Sequence, residues 1–155
     1  MRKADREIKD FNEIVALLGR CDTLHIGMTG ENGPYVVPVS FGFEVVNGQI
    51  VVYFHGAKEG RKHDLLAKDP RVCVEASLMH GYRGTGNSVT ADYESILGFG
   101  TAEICSDKEA AHGVTLLMEH CGYPNFDGST CIALGITRVY RIKLASVTGK
   151  RRFAP

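Results

Sequence analysis

Arg61 and Lys62 stand directly after Gly60 in the stretch Tyr53-Phe54-His55-Gly56-Ala57-Lys58-Glu59-Gly60-Arg61-Lys62. The apolar start of this stretch reads as a strand leaving a sheet, and Gly56 and Ala57 are small enough for the backbone to come close to a ligand. A helix opens near Gly60, so the cations crowd its first turn. Unpaired N–H groups and the helix dipole already make that end partly positive, and cations are disfavoured there unless an anion is bound. A phosphate monoester fits, because charge-assisted hydrogen bonds from Arg61 and Lys62 are each worth ~1.5–3 kcal/mol. The plainer account is a solvated basic turn; the position of the charges at a helix start favours the anion. His55 is either a proton donor beside that ligand or a histidine with a backbone partner.

A second stretch, Tyr35-Val36-Val37-Pro38-Val39-Ser40-Phe41, carries a proline inside a strand pattern, which marks a sheet edge or a bulge. Free backbone groups on an edge can hydrogen-bond a planar heterocycle, although an ordinary edge strand has the same pattern. His112, His120 and Cys121 share a predicted helix, yet neither H-E-x-x-H nor a zinc-ribbon spacing occurs, so no metal site is expected. G-x-S-x-G, Walker and dinucleotide fingerprints are missing from the sequence.

The elements that must position these residues follow from hydrophobic period and turn chemistry. Residues 5–18 read as a helix, with Ile8, Phe11, Ile14, Val15 and Leu18 on one face and Gly19 as its stop. Strands are expected over 24–28, 35–45 and 49–54, the last two joined by a tight Asn47-Gly48 hairpin turn. A short helix covers 60–68 and ends at Asp69-Pro70; a strand follows over 71–77, then a glycine-rich loop over 80–87. A long strand over 93–104 carries a bulge or corner at Gly98-Phe99-Gly100, a helix capped by Ser106-Asp107 runs from 108 to about 121, and the final strand spans 135–147. About six strands with few helices between them point to an antiparallel barrel, since a parallel sheet needs a crossover helix after nearly every strand.

Composition narrows the class. The 155 residues amount to a single domain spanning 1–155, and 44% apolar content supplies a core. Eighteen basic residues balance eighteen acidic ones, so no electrostatic footprint asks for nucleic acid. No apolar run reaches the roughly 18 residues of a membrane span, and Met1-Arg2-Lys3-Ala4-Asp5-Arg6 lacks the apolar core of a signal peptide. Five cysteines without a C-x-x-C point away from a disulfide framework. A cytoplasmic protein is expected.

Together, Pro34-Tyr35-Val36-Val37-Pro38-Val39-Ser40-Phe41, the stretch 53–62, Tyr93-Glu94-Ser95-Ile96-Leu97-Gly98-Phe99-Gly100 and Thr148-Gly149-Lys150-Arg151 occur in an order that resembles the pyridoxamine 5′-phosphate oxidase-related FMN-binding split barrels, in the branch named for 5-nitroimidazole resistance. The resemblance covers nearly the whole chain and is most specific over 53–62. It implies a mainly β, α+β fold: a six-stranded antiparallel split β-barrel with short flanking helices. It also implies a homodimer with FMN at the interface and a small planar electron acceptor such as a nitroimidazole or nitro-aromatic. Val37, Pro38, Val39 and Ser40 would lie along the isoalloxazine ring, and Phe54 and His55 would flank the ring and ribityl chain. Ala57 and Gly60 would shape the phosphate loop, Arg61 and Lys62 would hold the phosphate, Ser95 would face the flavin, and Lys150 would approach from the C-terminal end. In that branch the histidine matching His55 lies near flavin and drug, which makes it the candidate catalytic residue. Pyridoxine-phosphate oxidases themselves end in a tryptophan-containing segment with an Arg-Leu-x-Pro signature; this chain has no tryptophan and ends Arg151-Arg152-Phe153-Ala154-Pro155, which argues against that activity. Other relatives of this fold bind haem or a deazaflavin, with His55 or His25 as conceivable axial ligands, and a flavin-binding module without turnover is a further alternative.

Overall fold

Alternation of side chains builds the core. In the computed structural model, which describes residues 4–153, Leu24, Ile26 and Met28 point inward from one strand, Ile50, Val52 and Phe54 from a second, and Val72, Val74 and Ala76 from a third. Tyr140, Ile142 and Leu144 complete the interior from a fourth strand, and burying each large side chain contributes roughly 1.5–3 kcal/mol. The elements in chain order are β1 (Glu7–Ile8), α1 (Phe11–Leu18), β2 (Leu24–Gly30), β3 (Gly33–Val39), β4 (Gly42–Val46), β5 (Gln49–Ala57), α2 (Arg61–Lys68), β6 (Arg71–Gly84), β7 (Val89–Ile104), α3 (Asp107–His120) and β8 (Thr137–Arg152). All the strand pairs are antiparallel, in the order β3-β2-β6-β7-β8-β5-β4, with β1 added beside β8. The sheet is a mainly β split barrel, as expected. Its count is eight strands rather than six, because β1 adds one and the expected strand over 35–45 divides into β3 and β4.

Other boundaries move for local reasons. The first helix starts at Phe11, not residue 5: the Asp10 carboxylate caps it by accepting from the Asn12 N–H at 2.8 Å, while Ile8 pairs with Gly149 in the sheet. The glycine-rich segment 80–87 is largely strand. Gly81 takes φ +137° at a bulge, β6 runs on to Gly84 opposite Val89, and only residues 85–88 turn, closed by the Thr85 N–H donating to the Ser88 carbonyl at 2.8 Å. The bulge expected near Gly98-Phe99-Gly100 is present as a register shift between Phe99 and Gly100 against β8. Asn47 (φ 51°) and Gly48 (φ 77°) both take the left-handed conformation that a type I′ hairpin turn needs. Met1–Lys3 and Ala154–Pro155, the outer parts of the two terminal segments read above, lie outside the described residues. No helix among the described residues is long and apolar enough to cross a membrane.

Candidate functional site

The end of β5 and the start of α2 form the site. Phe54 faces the barrel interior, fully buried, and its ring stacks on Tyr140 with centroids 5.1 Å apart and planes 8° from parallel. Lys62 reaches back from α2 so that its Nζ lies 5.4 Å from the Phe54 ring centroid and 3.5 Å from the His55 carbonyl. Gly56 makes room for this: a Cβ there would stand 2.8 Å from Lys62 Cε and Nζ. Gly60, the residue before α2, has φ +116°, which favours glycine, and it contributes no side-chain cap to the helix.

Tyr35 carries the second cation. The Arg61 guanidinium sits 4.4 Å over the Tyr35 ring, which ties α2 to the edge strand β3. Along β3, Tyr35, Val37 and Val39 pack against the core, while Val36 and Pro38 face outward. Pro38 opposes His25 on β2, and the opposite edge of β3 is paired with no strand, so the missing proline N–H costs the ladder little. Phe41, fully buried, pins the chain between β3 and β4. Because Gly42 opposes Tyr53, the chain enters β4 with Ser40 delivered toward the His55 end of β5. Phe54, His55, Gly60, Arg61 and Lys62 therefore gather where β5 meets α2, and β3 joins them through Tyr35, with Val37–Val39 further along the same edge strand.

Several cations elsewhere are paired within the chain. Arg20, Lys68, Arg71, Arg83, Arg141 and Arg151 each meet a carboxylate within ion-pair distance. Among the described residues no ion pair includes Arg61 or Lys62. Burial without a counter-charge pushes the Lys62 ammonium below the usual lysine range. His55 is also lowered, by burial first and by the neighbouring Lys62 charge second, so its imidazole is neutral at pH 7. An anion placed against Lys62 would relieve both effects.

Other predicted residues lie elsewhere in the chain. Ala57 is exposed at the end of β5, opposite Thr137. Ser95 and Lys150 oppose each other on β7 and β8. Lys150 is eleven residues beyond Val139, the partner of His55, or about 36 Å along extended β8, and its ammonium lies 5.7 Å from the Tyr93 ring centroid. His25 Nδ1 is 3.1 Å from a Glu75 carboxylate oxygen, His112 Nε2 is 3.1 Å from Glu44, and His120 Nε2 is 2.8 Å from the Cys21 carbonyl. No three His, Cys, Asp or Glu side chains converge among the described residues in a way that could hold a metal. Burial pushes the Cys21 and Cys105 thiols up to about 11, which keeps them protonated and unreactive at neutral pH.

One cluster was not anticipated from the sequence. His63 Nδ1 is 2.7 Å from the Tyr140 hydroxyl, and Arg138 Nη1 lies 3.2 and 3.1 Å from the two ring nitrogens of His63. Near-equal distances to both nitrogens place the guanidinium against the ring face rather than in its plane. The signal available was weak: His63 adjoins Lys62, and Arg138 and Tyr140 alternate on the final strand.

The family model described as pyridoxamine 5′-phosphate oxidase matches residues 10–151. A candidate 5-nitroimidazole antibiotic resistance protein from Bacteroides thetaiotaomicron is 28% identical, with 93% of this chain and 85% of that one covered and a TM-score of 0.79. The FAD and haem binding protein of Mycobacterium smegmatis superposes with a TM-score of 0.79 at 17% identity, covering 96% of this chain and 74% of that one. An FAD-binding protein of Mesorhizobium loti gives 0.68 at 18% identity, covering 96% and 98%. At those identities the last two speak for the fold alone. No curated protein matches the chain. The match over residues 10–151, on a split barrel of this topology, makes the chain a member of the pyridoxamine 5′-phosphate oxidase family.

Proposed function

We propose that the protein is a cytoplasmic FMN-dependent oxidoreductase that reduces a small planar acceptor of the nitroimidazole or nitro-aromatic kind. The observation that carries this reading is Lys62: a half-buried ammonium without a carboxylate partner among the described residues, in the space Gly56 leaves open. With Arg61 beside it in the first turn of an eight-residue helix, it suits a terminal phosphate monoester, the group that FMN carries. Val37 to Ser40 would then flank the ring system from the β3 edge. A homodimer would complete the site, with Ser95 and Lys150 supplied by a second copy.

Bound flavin would supply the hydride chemistry; the chain holds the phosphate, orients the ring and shields it from water. Neutral His55 can hold a proton at a ring nitrogen and donate it in a hydrogen bond to the acceptor. The nitro-type acceptor is supported by the 28% identical relative, and the absence of tryptophan speaks against oxidation of pyridoxamine phosphate.

The absorption spectrum of protein as purified, alongside the double variant Arg61→Ala/Lys62→Ala, tests this. Flavin bands in the wild type and their loss from the gel-filtered variant are expected. Undiminished flavin in the variant refutes the phosphate assignment, and a Soret band refutes the cofactor. Reduced wild-type protein mixed anaerobically with a nitroimidazole should reoxidise; a flavin that stays reduced would leave only a binding module.

A further inference from the structure

A cleft of ≈ 710 Å³ lies on the outer face of the barrel, between the first turns of α3 and the start of β8. Its volume is that of a small-molecule site, in the roughly 300–1,000 Å³ range. Two cations line it with their side chains, Lys58 and Lys108, against one carboxylate, Asp107; Arg138 also borders it, but its guanidinium lies on the other face of the sheet, against His63. Leu134 and Val139 contribute apolar wall. The cations are not neutralised from outside. Lys58 Nζ donates to the Gly135 carbonyl, at 2.7 Å, and enters no ion pair among the described residues. Lys108 enters no ion pair among the described residues. Glu109, next along α3, adds no free charge to the rim. It accepts from the Ser106 N–H at 3.0 Å and the Ser106 hydroxyl at 2.8 Å, and it is paired with Arg141.

His55 is the cross-strand partner of Val139, which lines the cleft. The two side chains leave the sheet on the same face, with Cβ atoms about 4.5–5.5 Å apart. Tyr53, two residues earlier on that face, is buried beneath α3, where a Cβ at Gly113 would meet its ring at 2.6 Å. The strand therefore runs out from under the helix and carries His55 to the side of Val139.

We propose that the cleft binds a small organic anion with a flat apolar body, an aromatic or similar carboxylate, its charge between Lys58 and Lys108 and its body against Leu134 and Val139. Such a molecule against Val139, on the face that His55 shares, is placed as the second reactant of the enzyme. That use rests on the flavin reading; the ligand class rests on the cleft alone.

Benzoate and its neutral isostere benzamide are the probes, titrated into purified protein as isolated and followed by amide NMR. Benzoate should shift the amides of Leu134, Gly135 and Val139, with benzamide binding at least tenfold more weakly. Lys58→Ala/Lys108→Ala should weaken benzoate at least tenfold with flavin content unchanged, and Lys108→Arg should retain binding. Equal affinity for the two probes, shifts confined to another face, or insensitivity to the double variant would overturn the proposal. Benzoate binding that persists in Arg61→Ala/Lys62→Ala, after flavin is lost, would separate this site from the fate of the phosphate reading.

Discussion

Gly56→Ala removes no charge and no hydrogen-bonding group, yet it should weaken phosphate binding. The new Cβ would sit 2.8 Å from both Cε and Nζ of Lys62, and ordinary contact begins at 3.4 Å, so the ammonium must retreat by roughly 0.6 Å. The obstacle is the flexible end of a side chain, so the backbone need not move. Gly56 lies in a strand without positive φ, and alanine there is expected to leave stability unchanged or raise it by about 0.5–1 kcal/mol. Retreat takes Nζ off its place 5.4 Å over Phe54 and 3.5 Å from the His55 carbonyl. Losing one charge-assisted hydrogen bond to a phosphate costs ~1.5–3 kcal/mol, or roughly a 10- to 150-fold loss of affinity. Flavin fluorescence titrations of apo-protein read this directly if FMN is compared with riboflavin, which lacks the phosphate. FMN affinity should fall toward that of riboflavin, and riboflavin affinity should hold. Equal losses for both ligands would mean that alanine perturbs the ring site, and an unchanged FMN affinity would mean that Lys62 does not hold the phosphate.

Lys62→Met should stabilise the apo-protein at neutral pH. The folded pKa of Lys62 lies below its unfolded value, so the charged form is penalised at low pH and the gain fades as pH rises through that lowered value toward about 10.4; urea midpoints across this range check it. Gly42→Ala should be severe, because a Cβ there would fall on the Leu117 backbone nitrogen and stand 2.7 Å from the Leu116 carbonyl oxygen. Neither partner is a flexible side chain, so α3 must shift on β4 at a cost of about 1–3 kcal/mol or more, seen as a lower urea midpoint with unchanged slope.

Much of the barrel was legible because the strands alternate cleanly and their turns carry strong signals. Asn47-Gly48 and Ser106 marked their boundaries through local chemistry alone. The first helix was extended too far because Ile8 and Phe11 fit a helical face equally well, and the pairing of Ile8 with Gly149 joins residues far apart in sequence. Glycines at 81, 84 and 86 read as a loop for a similar reason. A glycine at a bulge and a glycine in a loop look alike until the partner strand is known. At the site, the strand-to-helix stretch with its cations was visible, since a helix start and a charge run are local facts. The Tyr35 contact to Arg61 and the His63–Tyr140–Arg138 cluster depend on tertiary approach, and no spacing encodes them.

Alternation along β5 also explains how one strand end can serve two ligands. Phe54 and Gly56 face the side over which Lys62 lies, whereas His55 between them faces the side of Val139 and the outer cleft. The His55 carbonyl thus meets Lys62, while its ring leaves the sheet on the side of Val139, which lines the cleft. The carbonyl belongs to the backbone and survives any substitution that keeps the strand. The contribution of residue 55 to seating Lys62 is therefore independent of its side chain, and the proposed role of its imidazole can be removed without touching that contact. Lys62 cannot be divided this way: its one ammonium both occupies the space above Gly56 and lowers the His55 pKa. Coupling between the two faces has to run through Lys62, and an anion bound against Lys62 would change the charge that His55 feels.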